Sequence, residues 1–201
     1  MVYRKTPAAA ARKDARRKLI LDAAIRLFGD SGYHAATVPM IVAQAHSSIG
    51  SFYAHFHNKE DVFGATLETI GAKVSELIDQ ATESEPDPLL GIRCVVETVF
   101  LHLARNPREA RILIVESSGL GPRLERIRRD LIQRHTGQIV QAVKSNPEAF
   151  SVSDPLFSAR CLVGAVFESL YAWLEERPSR RSSAAKVARA VADYNARAIG
   201  R

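Results

Sequence analysis

Cysteine is scarce in this 201-residue chain: only Cys94 and Cys161 occur. Both fall inside apolar helical patterns. Two such thiols make neither a disulfide framework nor a four-ligand zinc site. Long hydrophobic runs are lacking too. No apolar stretch approaches the roughly 18–20 residues of a membrane span. The uncharged stretch Ser31–Asn58 is broken by Gly, His, Ser, Gln and Asn. No apolar segment follows the basic N-terminal residues, which argues against a signal peptide. Enzyme signatures are missing as well: no Gly-rich phosphate loop, no Gly-x-Ser-x-Gly elbow, no His-Glu-x-x-His. Glu116-Ser117-Ser118 has the atom types of an acid and a nucleophile, but no His neighbours it and it reads as a helix cap. The expectation is a cytoplasmic protein that is no enzyme, has no cofactor and no metal site, and does not enter a membrane.

The chain does carry a basic excess, unevenly placed. Lys and Arg number 28 against 22 Asp and Glu, a net charge of +6. Residues 1–58 hold eight basic residues (Arg4, Lys5, Arg12, Lys13, Arg16, Arg17, Lys18, Arg26) and three acids, a net +5. The remaining 143 residues are close to neutral. A localised basic module suggests a polyanionic partner at that end only. With 46% hydrophobic and 25% charged residues, the composition is that of a globular chain of one or two domains.

The periodicity is helical almost everywhere. Ala15, Leu19, Ala23 and Leu27 recur every fourth residue, predicting a helix from about Lys13 to Asp30 with Gly32 as its C-cap. Thr37 can cap a short helix to about Ala45, with Pro39 in its first turn. After a break at His46-Ser47, Ser48 can cap another short helix through Phe56. Asn58 can cap a fourth, long helix, with Asp61 as a partial capping box. Beyond a polar joint at Glu83–Pro88, five more helices are expected: Leu89–Arg105, Pro107–Glu116, Arg123–Ser145, Asp154–Arg177 and Ser183–Ala198. That makes nine helices, no strand and no internal repeat: an all-α chain.

Residues 37–56 form a helix, a tight turn and a second helix. A helix fits the DNA major groove, and the second helix of such a pair can present its first residues to base edges. Ser48, Gly50 and Ser51 are small enough for close approach, Ile49 can meet a thymine methyl, and Lys59 adds charge at the start of the next helix. His55 and His57, two apart on a helix, point to different sides and are not expected to hold a metal. Phe56 is expected in the core and Tyr53 toward DNA.

The stretches Ile20-Leu-Asp-Ala-Ala-Ile-Arg-Leu-Phe28, Gly32-Tyr33, Thr37, Ile41, Ala45, Ser48, Gly50, Phe52-Tyr53, His55-Phe56 and Asn58-Lys59-Glu60-Asp61 resemble the N-terminal domain of the tetracycline-repressor (TetR) family of bacterial transcription regulators. The remainder resembles the family in layout. There are departures: His46-Ser47 stands where the family usually has Gly-Val, Val42 where it often has Ala, and Pro39 removes a polar contact.

The resemblance implies a basic tail and helix-turn-helix domain over 1–58 and an effector-binding and dimerisation domain over 59–201. It implies DNA contacts from Thr37, Ser48, Ile49, Gly50, Ser51, Tyr53, His55 and Lys59. Phe100, His102, His135, Phe167 and Tyr171 are candidates for an effector pocket. Leu162, Val166, Leu170, Trp173, Val187 and Val191 are candidates for a homodimer interface made by the last two helices, because one chain offers few partners for both apolar stripes. The function implied is a repressor released from a near-palindromic operator in double-stranded DNA when a hydrophobic small molecule binds. Two other readings stay open: a helical small-molecule binder or enzyme without regulatory DNA binding, and a ligand-independent DNA binder or activator.

Overall fold

The computed structural model describes residues 7–177 and 179–200. Arg4 and Lys5 of the basic tail and the helix-stopping Pro178 lie outside them. Nine α-helices make up the described residues: α1 Pro7–Ala35, α2 Val38–Gln44, α3 Ile49–Tyr53, α4 Lys59–Ser84, α5 Pro88–Arg105, α6 Pro107–Arg111, α7 Pro122–Ser145, α8 Pro155–Glu175 and α9 Ala184–Ile199. A π-helical turn, Ile112–Glu116, continues α6.

Local chemistry sets most boundaries. Asp87 and Asp154 each precede a proline and accept two backbone N–H groups of the following turn, those of Leu89 and Leu90 and of Leu156 and Phe157. Asn58 accepts the Asp61 N–H at 2.8 Å and starts α4. The helix α1 begins six residues earlier than Lys13, since the alanines after Pro7 are strong helix formers. It is interrupted at Gly32, whose φ of 81° suits glycine. The other departure is α3, which ends at Tyr53 rather than Phe56, as the His55 N–H turns back to the Phe52 carbonyl.

One apolar core runs from Ile20 in α1 to Ala192 in α9 and so crosses the junction at residue 58. At its N-terminal end Phe28 and Phe63 meet edge to face with centroids 4.9 Å apart, and Tyr33 packs on Phe63 at the same distance. Phe52 and Phe56 are buried beneath the helix pair. In the C-terminal half α5 lies against α9 and α4, and α7 against α8. A smaller cluster of Val143, Phe150, Leu162 and Ile199 closes the far end. The helix α4 belongs to both halves: at 26 residues and 1.5 Å per residue it is about 39 Å long.

Candidate nucleic-acid interface and effector cavity

The helix pair α2–α3 is held by its caps. Thr37 accepts the Met40 N–H at 3.4 Å and Ser48 accepts the Ser51 N–H at 3.1 Å, leaving both hydroxyl protons free to donate outward. His46 closes the turn between them with φ 46°, a left-handed conformation that glycine adopts at no steric cost. The neighbouring Ser47 is half-buried and its hydroxyl oxygen has no partner. Val42 is accommodated in the core.

The outward side of this pair is apolar and uncharged. Ile49 and Tyr53 are 47% and 54% exposed, and Met40, absent from the expected contact set, is 42% exposed. A Cβ on Gly50 would meet nothing within 4 Å, so the helix presents a bare stretch of backbone there. Ser48 is exposed, Ser51 half-buried and Thr37 exposed. Large apolar side chains left open on so small a unit call for a partner surface.

Positive potential comes from the neighbouring α1, where Arg12, Lys13, Arg16, Arg17 and Lys18 are all exposed. The guanidinium of Arg17 lies 5.2 Å from the Phe56 ring centroid. His55 reports this field: burial, then the charges of Lys13 and Arg17, push its imidazole below the ordinary histidine value.

Lys59 departs from its expected part. Its ammonium donates to the carbonyl oxygens of Tyr33 (2.9 Å), His34 (3.4 Å) and Ala36 (3.0 Å), and sits 4.3 Å from the Tyr33 ring centroid. Its donors are taken up in closing the C-terminal end of α1, a favourable place for a cation. Any phosphate would meet its charge only.

Three more polar contacts, none read from the sequence, tie α1 and the start of α4 to the segment 108–123. Glu116 Oε2 accepts the Tyr33 N–H at 2.9 Å, Arg108 donates to Asp30 at 2.7 Å and Arg123 to Asp61 at 2.8 Å. Burial pushes the Asp61 carboxyl up, but the His57 N–H and Arg123 outweigh it and hold it below its usual value.

In the C-terminal half, a cavity of about 690 Å³ opens between α4, α5, α7, α8 and α9. Its apolar walls include Ile78, Ile92, Val95 and Ile139. None of the five expected pocket residues lines it. Phe100 is wholly buried and packs on Trp173. His102 is bound to Glu109 at 3.2 Å. His135 stands behind the wall, sharing a hydrogen bond with Gln138. Phe167 and Tyr171 line a separate, shallower groove between α7 and α8. The feature the sequence could not supply is Asn195 of α9, 1% exposed, which lines the larger cavity with an unpartnered Oδ1.

The expected dimer residues also need correction. Leu162, Leu170 and Val191 are buried inside the protomer. Val166, Trp173 and Val187 pack against the same core, and the Trp173 indole N–H donates to the Ser182 carbonyl. These residues pack inward because α8 lies against α7, α9 and α5, and α9 lies along α5. The outward stripe of α8 is instead Phe157, Cys161, Gly164, Glu168 and Tyr171, all exposed. Tyr194 of α9 is 62% exposed.

Comparison with known proteins agrees with this architecture. Residues 20–66 match the model of bacterial regulatory proteins of the tetR family. The chain is 25% identical over 171 residues to the HTH-type transcriptional regulator YhgD of Bacillus subtilis, covering 81% of this chain and 86% of that one. Its fold resembles that of SmeT, the repressor of the Stenotrophomonas maltophilia multidrug efflux pump SmeDEF, seen in a complex with triclosan: the TM-score is 0.79 at 23% identity, over 93% of this chain and 92% of that one. It also resembles the Bacillus subtilis regulator FadR in complex with stearoyl-CoA: the TM-score is 0.80 at 18% identity, over 89% and 97% of the two chains. A helix-turn-helix with an open apolar face, a basic helix ahead of it and a helical body behind it are accounted for together: residues 20–66 match the DNA-binding domain of the tetR family of bacterial regulatory proteins, and the whole chain has the fold of such regulators.

Proposed function

We propose that this regulator is a repressor that leaves its operator when a small molecule fills the cavity between α4, α5, α7, α8 and α9. One observation carries this reading. The same rigid helix, α4, begins beside the helix-turn-helix at Lys59 and forms the cavity wall twenty residues later at Ile78, Asp79, Thr82 and Glu83. A ligand that displaces that end of α4 displaces the other. The functional division falls near residue 58, even though the core is continuous. SmeT, a repressor with a ligand bound on this fold, supports the sign of regulation.

The regulator works as a two-fold dimer through the outward face of α8 and α9, where Leu156, Phe157, Tyr171 and Tyr194 are 43–64% exposed. Thr37, Ser48, Ile49, Gly50, Ser51, Tyr53 and His55 supply its DNA contacts. With no Arg, Lys, Asn or Gln in α3, a single head has few bidentate base contacts available, so two heads on half-sites about 34–36 Å apart raise affinity and favour a near-palindromic operator. For release, the ligand must bind the DNA-free arrangement more tightly than the DNA-bound one.

Selection of bound duplexes from a random pool at physiological salt tests the reading. A recovered inverted repeat, lost with Tyr53→Ala, is the expected result; no preferred sequence overturns it. A ligand-independent regulator would give the repeat but no compound that both raises the melting temperature and releases DNA.

A further inference from the structure

The cavity's wall chemistry is lopsided. Asp79, Glu83 and Glu85 all line it, and among the described residues no lysine or arginine does. The Asp79 carboxylate is held by the Gln138 amide at 2.9 Å, and the Glu85 carboxylate accepts the Asp87 N–H at 3.1 Å, so neither is neutralised by a cation. The rest of the lining joins an apolar wall of Ile78, Ile92, Val95 and Ile139 to uncharged polar groups, among them Gln138 and Gln141.

A second, independent feature lies deeper. Asn195 is 1% exposed; its Nδ2 donates to the Leu162 carbonyl at 3.3 Å, while its Oδ1 has no partner. A buried amide oxygen without a donor carries a desolvation cost that a ligand can relieve. What it lacks is an N–H or O–H donor. Among functional groups only a donor that is also cationic satisfies both features, since an anion would meet three carboxylates at the solvent-facing mouth of the cavity.

We propose that the cavity takes an organic cation with an apolar body and an N–H-donating head, and disfavours carboxylates and phosphates of the same size. This rests on the cavity being the effector site. The apolar body packs on the Ile78, Ile92 and Ile139 wall. The head donates to the Asn195 oxygen, and its charge is favoured by the carboxylates at the α4–α5 joint. A volume of about 690 Å³ is in the range that encloses a drug-sized molecule.

The test is calorimetric titration of the full chain at pH 7 with three matched probes, each below its micelle concentration: n-decylammonium, 1-decanol and decanoate. Decylammonium is expected to bind about tenfold or more tightly than decanoate, with decanol between. Glu83→Gln combined with Glu85→Gln, at positions open to solvent, should shrink that gap to about threefold or less. Asn195→Leu should weaken decylammonium and decanol together and leave decanoate unchanged. Equal or tighter binding of decanoate, a gap unmoved by the two glutamines, or no binding of any probe overturns the proposal. The glutamine pair decides the matter even if Asn195→Leu fails to fold. A parallel titration of operator DNA separates the two readings: decylammonium that binds with the expected preference yet leaves DNA affinity unchanged refutes the cavity as effector site and keeps its ligand class.

Discussion

His46 and Ser47 occupy the turn of the helix-turn-helix at a measurable cost. A non-glycine residue at φ 46° is strained, and the Ser47 hydroxyl is buried without a partner. His46→Gly and Ser47→Val should each stabilise the chain, by about 1 kcal/mol, in urea unfolding; a loss of stability in either would show that the turn is held by contacts these residues make. Gly50 separates folding from reading in the opposite sense. Alanine fits there without a clash and is the better helix former, so Gly50→Ala should hold or raise the melting temperature while altering operator affinity or preference. Unchanged DNA binding would remove Gly50 from the interface.

At the same scale, His135 sets a pH limit. Burial pushes its imidazole below the ordinary value near 6.5, with the Gln138 hydrogen bond opposing. A folded value below the unfolded one means that the unfolded chain binds more protons between the two. The stability is therefore fully present above about pH 6.5 and is lost as the pH falls through that value toward the folded one. Thermal melts from pH 7.5 to 5 should show this decline, and His135→Gln should flatten it.

Among the elements, the polar contacts of α1 and α4 with the segment 108–123 are the features to test. If Arg123–Asp61 transmits the position of α7 to α4, a double-mutant cycle with Arg123→Ala and Asp61→Ala should give a coupling of about 0.5–1 kcal/mol in stability and a larger coupling in DNA release by ligand. Equal effects on both readouts would reduce the pair to ordinary surface electrostatics. Legibility differs sharply at this scale. The starts of α4, α5 and α8 were readable because Asn58, Asp87-Pro88 and Asp154-Pro155 are local chemistry. The Glu116–Tyr33 link spans 83 residues and leaves no local trace. The α8 stripe was readable as apolar but not as to which side is covered, because periodicity marks a face and not its neighbour; Leu162 and Leu170, expected at the dimer interface, point inward. Lys59 was legible as a charge beside DNA but not as the group that closes α1. The Asn195 oxygen became visible only when α8 and α9 were brought together.

For the molecule as a whole, charge and symmetry divide the work of binding. The basic residues of α1 face solvent while the exposed residues of α2 and α3 are uncharged, so affinity should fall steeply with salt and sequence preference should not. Replacing Arg16 and Arg17 by alanine should lower the log–log salt slope for every duplex alike, by about one unit per lost phosphate contact on each head. Phe157→Glu with Gly164→Glu should give monomers by sedimentation and lose the inverted repeat while the fold persists. Dimers surviving both changes would move the interface elsewhere.

The π-helical turn Ile112–Glu116 has a consequence for how this chain can change by insertion and deletion. A π turn holds one residue more than the α turn it replaces. Removing one residue from that segment would let α6 run on as a regular helix, which costs the element nothing. It would also keep the phase of Glu116, since a π turn and the α turn that replaces it each close about one revolution, so its carboxylate would still face the Tyr33 N–H. The extra residue is therefore neutral in phase: a single-codon deletion there would leave both the helix and the Glu116–Tyr33 link in place, whereas one residue lost from a regular turn of α7 would rotate everything beyond it by about 100°.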